Sequence, residues 1–200
     1  KPAPARERLY LSPTACHAPG IAIRGGIPVI FPQFGGLGPL PKHGFARLLE
    51  WEFLGIEPRP IGDAAIFALT EGGASRVHWP HAFRACLEVA LAPGSLQVGL
   101  EILNRDDAPF AFTAALHTYL RVGRLPVVEL HGLEATPYED SARNGAAMPA
   151  TGAPVRFDGE VDRIYAGSPR TLLLREADSA LHVQAEGFPD TIVWNPGPTL

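Results

Sequence analysis

The stretch 83-FRACLEVALAPGSLQVGLEI-102 decides the fold. Phe83, Ala85, Leu87, Val89 and Leu91 alternate with Arg84, Cys86, Glu88 and Ala90, which is the period of two of a half-buried strand. Leu96, Val98, Leu100 and Ile102 repeat the pattern, and 92-APGS-95 is a turn of the right length to join the two as a hairpin.

Outward from that hairpin the same kind of short run recurs: 64-AAIFALT-70, 110-FAFTAALHTYLRV-122, 126-PVVELHG-132, 171-TLLLREA-177, 180-ALHVQA-185 and 191-TIVWN-195. The clusters 55-GIEPRPIGD-63, 104-NRDDAP-109 and 144-NGAAMPATGAP-154 read as the turns between them. With 21 glycines and 21 prolines there is little room for long helices. Regular short strands broken by Gly, Pro and Asp predict an all-β, antiparallel sandwich or barrel. No Ser-rich, Gly-rich or charged run interrupts the pattern, so 1–200 is expected to form a single domain.

A chain that is 46% hydrophobic can fill a sizeable core. Its formal net charge of -4 predicts no general affinity for nucleic acid or an anionic membrane, so an anionic ligand must be held locally. Only Lys1 and Lys42 among the 17 basic residues are lysines, and positive charge therefore arrives as guanidinium, which forks onto carboxylate or phosphate oxygens. Cys16 and Cys86 are too few for a disulfide framework and lack metal-type spacing, which makes a reduced, cytoplasmic setting the expectation. No apolar run reaches the roughly 20 residues of a membrane span.

Chemistry concentrates in a few segments. Alternation along 116–122 places His117, Tyr119 and Arg121 on one strand face and Leu116, Leu120 and Val122 on the other. That pattern suits a polar sheet face meeting a substrate, although a histidine on a solvated face is the reading that this strand alone favours. In 43-HGFAR-47, His43 precedes a glycine, where backbone can approach a ligand closely; Arg24 stands likewise before Gly25-Gly26. Arg24 and Arg47 could hold a phosphate by charge-assisted bonds, or each could pair with one of the 21 acidic residues. His78 and His81 in 77-VHWPH-81 lack a third ligand, so no metal site is expected. Phosphate loops, dinucleotide fingerprints, H-E-x-x-H and G-x-S-x-G are absent, which leaves nucleotide binding, zinc proteolysis and serine hydrolysis without support.

Taken together, 9-LYLSP-13, 23-IRGGIPVIFPQFG-35, 43-HGFAR-47, 79-WPHAF-83, 116-LHTYLRV-122, 131-HGLEATPYED-140, 160-EVDRIY-165 and 188-FPDTIVWNP-196 resemble the glucose-6-phosphate 1-epimerase branch of the aldose 1-epimerase family. The resemblance spans nearly the whole chain in the family's order. It implies a large antiparallel β-sandwich of the galactose-mutarotase type and interconversion of the α and β anomers of a hexose 6-phosphate without metal or cofactor. By position, His117 matches the catalytic acid, His43 a second active-site histidine, and Asp162 an aspartate that binds sugar hydroxyls. Arg24 and Arg47 match the phosphate contacts, and Gln33 lies in the same pocket-forming segment.

The family's general base is a glutamate C-terminal to 194-WNP-196, which this chain does not reach before Leu200. Strands ahead of 9-LYLSP-13 are also expected in the family. The resemblance thus implies a domain lacking N-terminal strands and the C-terminal strands that carry the base. The expected partner is a small-molecule sugar phosphate, and the expected state a cytoplasmic monomer. Two alternatives stay open: an aldose 1-epimerase acting on unphosphorylated hexoses, and a non-catalytic sugar-phosphate binding protein.

Overall fold

The computed structural model describes residues 6–197, so Lys1 and the end of 195-NPGPTL-200 lie outside the described residues. Two compact units divide the chain: residues 9–120 make one, and the residues through Arg8 with those from Arg121 onward make the other.

In the first unit the strands are β1 (Val29–Ile30), β2 (Glu52–Pro58), β3 (Asp63–Thr70), β4 (Phe83–Ala92), β5 (Ser95–Asn104) and β6 (Ala115–Leu116), with a one-turn helix α1 (Gly73–Arg76) between β3 and β4. β2, β3, β4 and β5 lie side by side as an antiparallel meander. Its centre is the expected hairpin: Ala92 pairs with Ser95, Val89 with Val98 and Leu87 with Leu100, which puts the alternating apolar residues of both strands on one face. Pro93-Gly94 makes the turn, and Gly94 supplies the positive φ of 76° that it needs.

Where this sheet face is buried, Leu69, Phe83 and Ala85 pack with Val29, Phe31, Phe45, Ala46 and Trp79. Phe31 is fully buried, with its ring centroid 5.3 Å from those of Trp79, Phe83 and Phe112. Burial of such a side chain stabilises by about 1.5–3 kcal/mol, and each well-oriented aromatic pair adds about 0.5–1.5 kcal/mol. The backbone at Phe31, directly after β1, is therefore a firm floor for the segment that crosses it.

Two expectations need correction. The cluster 55–63 is not all turn, because β2 runs through Gly55 to Pro58 and only residues 59–62 reverse the chain. A bulge between Phe53 and Gly55 leaves Leu54 as the extra residue while Gly55 pairs with Ile66, and Pro58 is tolerated because β2 is an edge strand that need not donate on both sides. Nor do residues 110–122 form one long strand, since only Ala115–Leu116 pairs regularly, with β1. Pro28 and Pro32 lack N–H groups, so the ladder is one-sided: Thr113 donates to the Pro32 carbonyl, His117 to Pro28 and Tyr119 to Gly26.

The second unit holds β7 (Glu129–His131), β8 (Tyr138–Asp140), β9 (Ala146–Met148), β10 (Val155–Arg156), β11 (Val161–Tyr165), β12 (Thr171–Arg175), β13 (Ala180–Gln184) and β14 (Thr191–Asn195). They form two four-stranded antiparallel sheets, ordered β10-β7-β12-β13 and β14-β11-β8-β9. Val128, Leu130, Leu133, Tyr138, Val155, Val161, Tyr165, Leu172, Leu174 and Val193 are buried there. β9 sits inside the 144–154 cluster expected to be turn, and Asp162 lies on β11 opposite Trp194 of β14. No helix among the described residues is long and apolar enough to cross a membrane.

Candidate active site

One backbone oxygen organises the site. The Phe31 carbonyl, held over the aromatic floor, accepts the N–H groups of both Phe45 (3.1 Å) and Ala46 (3.2 Å), which pins 43-HGFAR-47 across the strand. The chain enters that contact through two consecutive left-handed residues, His43 (φ 70°) and Gly44 (φ 65°). Gly44 has no side chain to collide, whereas His43 bears a real conformational cost that its local bonds must offset.

Those bonds are reciprocal. His43 N–H donates to the Gly35 carbonyl at 2.8 Å, and Gly35 N–H donates to His43 Nδ1 at 3.2 Å. Because Nδ1 accepts, the neutral ring carries its proton on Nε2 and presents a donor there. Burial is the largest cause lowering the His43 pKa to about 4, followed by the positive charges of Arg47 and Lys42 and by His117. At neutral pH His43 is thus an uncharged hydrogen-bond donor and has no proton to give as an acid.

Gln33 closes the intervening loop. It is 4% exposed, accepts from Leu40 N–H at 2.9 Å, and donates to the carbonyls of Leu40 (3.0 Å) and Gly35 (3.3 Å). Its amide is spent at both ends on the segment that presents His43.

Arg47 stands on a 3-10 turn, Ala46–Leu48, and donates from Nη2 to the Lys42 carbonyl at 3.1 Å. Its Nε is buried with no hydrogen-bond partner among the described residues. A buried donor left unmade costs about 1–3 kcal/mol, so such an atom beside two histidines points to a ligand acceptor. Burial also lowers the Arg47 pKa, an effect partly opposed by Tyr119.

His117 completes the group. Its ring lies edge-on to His43, with centroids 6.3 Å apart at 88°, and stacks on Tyr119 at 4.6 Å and 26°. Desolvation is the main cause lowering its pKa, a backbone hydrogen bond opposes it, and the Arg47 charge lowers it further. The structure therefore brings His43, Arg47 and His117 together.

Arg24 is exposed, and its guanidinium makes no hydrogen bond or ion pair among the described residues. Its position is nonetheless fixed. Leu11 and Gly25 form a bridge, Ser12 N–H bonds to the Arg24 carbonyl, and a Cβ on Gly25 would lie 2.5 Å from the Tyr10 oxygen. Asp162 belongs to the other unit. Sequence reasoning missed Lys42 and left Tyr119 as a mere neighbour of His117. The adjacency of Lys42 to His43 was the available signal for the first, and ring stacking at i, i+2 for the second.

The His43 arrangement has a pH signature. A folded pKa below the unfolded value means that the native state binds fewer protons, so stability is complete above about pH 6.5 and is lost as pH falls toward about 4. His43→Asn, chosen because Asn tolerates left-handed φ, should lose less of its melting temperature between about pH 7 and pH 5 than the wild type does. Parallel melting curves would show instead that His43 protonates freely in the fold.

Comparison with known proteins places these features in a lineage. The aldose 1-epimerase family pattern matches residues 3–200. A candidate glucose-6-phosphate 1-epimerase of Cenchrus ciliaris is 37% identical over 95% of this chain, which spans about 61% of that protein's length. Another from Escherichia coli is 33% identical over 100% of this chain and 67% of its own. The crystal structure of a candidate mutarotase from Salmonella typhimurium superposes with a TM-score of 0.89 at 30% identity, covering 99% of this chain and 66% of that one. That likeness gives the chain the antiparallel β-sandwich fold of the mutarotase type.

Proposed function

The chain belongs to the aldose 1-epimerase family, and from that premise we propose that the protein interconverts the α and β anomers of a hexose 6-phosphate. The observation that carries the phosphate assignment is Arg47, a half-buried arginine whose Nε is buried without a hydrogen-bond partner among the described residues, beside two histidines. The names of the relatives from Cenchrus ciliaris and Escherichia coli, both glucose-6-phosphate 1-epimerase candidates, point the same way.

Mutarotation needs a base to take the anomeric hydroxyl proton and an acid to protonate the ring oxygen; the ring opens, the C1–C2 bond rotates, and the ring closes on the other face. We assign the acid to His117. Its lowered pKa makes the protonated ring a readier donor, and the same nitrogen recovers the proton on closure. His43 acts as a neutral Nε2–H donor that orients the sugar. Arg47, with Arg24, holds the phosphate, which does not react and so supplies binding and orientation. The phosphate charge on Arg47 also offsets the repulsion that lowers His117, so substrate docking favours loading of the acid. Gln33 is read as the brace of the His43 loop, and Asp162 as a contact to sugar hydroxyls. Among the described residues no group is assigned the role of base.

Saturation-transfer NMR of glucose 6-phosphate, with glucose and galactose as comparators, tests the reaction. Accelerated exchange confined to the phosphosugar is expected. Equal acceleration of free hexoses would move the assignment to an aldose 1-epimerase, and binding without exchange to a sugar-phosphate binding protein. Arg47→Ala should raise KM for the phosphosugar about tenfold with little change in kcat, because the contact is made in ground and transition states alike. Unchanged KM would remove Arg47 from the phosphate site.

A further inference from the structure

We propose that Tyr119 is a positioning residue that fixes the plane of the His117 imidazole for proton transfer to the sugar ring oxygen; this rests on the mutarotase reading above. The torsion that turns a histidine ring is broad and roughly two-fold, so a half-buried imidazole keeps a defined plane only if something packs against it. A proton donor must be aligned within about 10–20° to be effective. Tyr119 provides that packing, with its ring stacked on His117 at 4.6 Å and 26°.

The stack is held from the backbone. Tyr119 N–H donates to Gly26 at 2.9 Å, the Tyr119 carbonyl accepts from Tyr10 at 2.9 Å, and His117 N–H donates to Pro28 at 3.0 Å. Thr118 N–H closes a tight turn on the Leu116 carbonyl at 2.9 Å with His117 at its centre, and these bonds on either flank fix the directions in which the His117 and Tyr119 side chains leave. His43 limits the remaining freedom from its edge-on position, 6.3 Å from the His117 centroid at 88°. The phenol face also favours a cation over it, so the stack stabilises the protonated His117 against the burial that disfavours it. Both effects come from the aromatic ring and neither needs the hydroxyl.

That separation defines the test. In the purified wild type, the His117 ring protons, identified by their absence in His117→Asn, should resonate upfield from ring current. Tyr119→Phe should keep the shift and turn over within about twofold of wild type, whereas Tyr119→Leu should lose the shift and about 10–100-fold in kcat with KM nearly unchanged. A Leu variant with wild-type kcat, or a Phe variant as impaired as the Leu variant, would overturn the proposal. Should the Leu variant fail to fold, the wild-type shift and the Phe variant still decide it. An active wild type without the shift would overturn the positioning role alone. A wild type with the shift but no anomer exchange would overturn the mutarotase reading and the role with it.

Discussion

His117→Asn is expected to lower kcat for anomer exchange by about two orders of magnitude, the usual contribution of a positioned general acid. Asparagine can donate a hydrogen bond from its amide, but it cannot release that proton to a developing alkoxide and take it back. The fold should survive, because the backbone bond from residue 117 to Pro28 and the pairing of Leu116 with Val29 do not involve the side chain. The losses include the face contact with Tyr119 and the edge contact with His43, neither of which belongs to the buried cluster around Phe31. Anomer exchange by saturation transfer, read beside a circular-dichroism melt, checks both halves. Wild-type exchange in a stable variant would remove His117 as the acid, and a collapsed melt would show a structural role.

Gly44→Ala should strongly destabilise the first unit. A Cβ at residue 44 would lie 2.2 Å from the Phe31 carbonyl oxygen and 2.6 Å from its carbon, and both are backbone atoms that cannot rotate away. That oxygen is the one receiving Phe45 and Ala46, so relieving the clash means breaking the contact that seats His43 and Arg47. The left-handed φ of 65° adds about 1–2 kcal/mol for any residue with a Cβ, and overpacking adds about 1–3 kcal/mol. Together these approach a substantial part of the roughly 5–15 kcal/mol that holds a domain folded. Gly20→Ala separates the two effects, since its φ of 76° is as unfavourable but nothing lies within 4 Å of its Cβ. In urea denaturation, Gly20→Ala should lose only the conformational part, about 1–2 kcal/mol. Equal losses for the two variants would mean that the chain yields at Phe31 and that the clash is not real.

Strand content was legible because each strand of the hairpin contains its own evidence. Alternation at period two in 83–91 and 96–102, with Pro-Gly between, is a local property, and the observed register follows from it. Two of the strands missed had a turn-like local signal. β2 contains Gly55 and ends at Pro58, and β9 lies in a run of Gly, Ala and Pro; each is a strand because a neighbour accepts its pairing. Residues 110–122 failed in the opposite direction. Their alternation is good, but their partner segment contains Pro28 and Pro32, and a ladder needs donors on both sides.

By itself the sequence determined the antiparallel β class, the family resemblance and the residue types of the proposed site, because alternation, turn chemistry and short motifs reside in adjacent residues. Only the tertiary structure decided how those residues act. His43 is a neutral donor because Gly35 occupies its Nδ1 and Arg47 and Lys42 add to the effect of burial. Gln33 has its amide committed to Leu40 and Gly35, and His117 gains Tyr119 as a stacking partner, which turns a neighbouring aromatic into a support. Protonation state and ring orientation depend on burial and on charges brought close through space, and those distances exist only once the chain is folded.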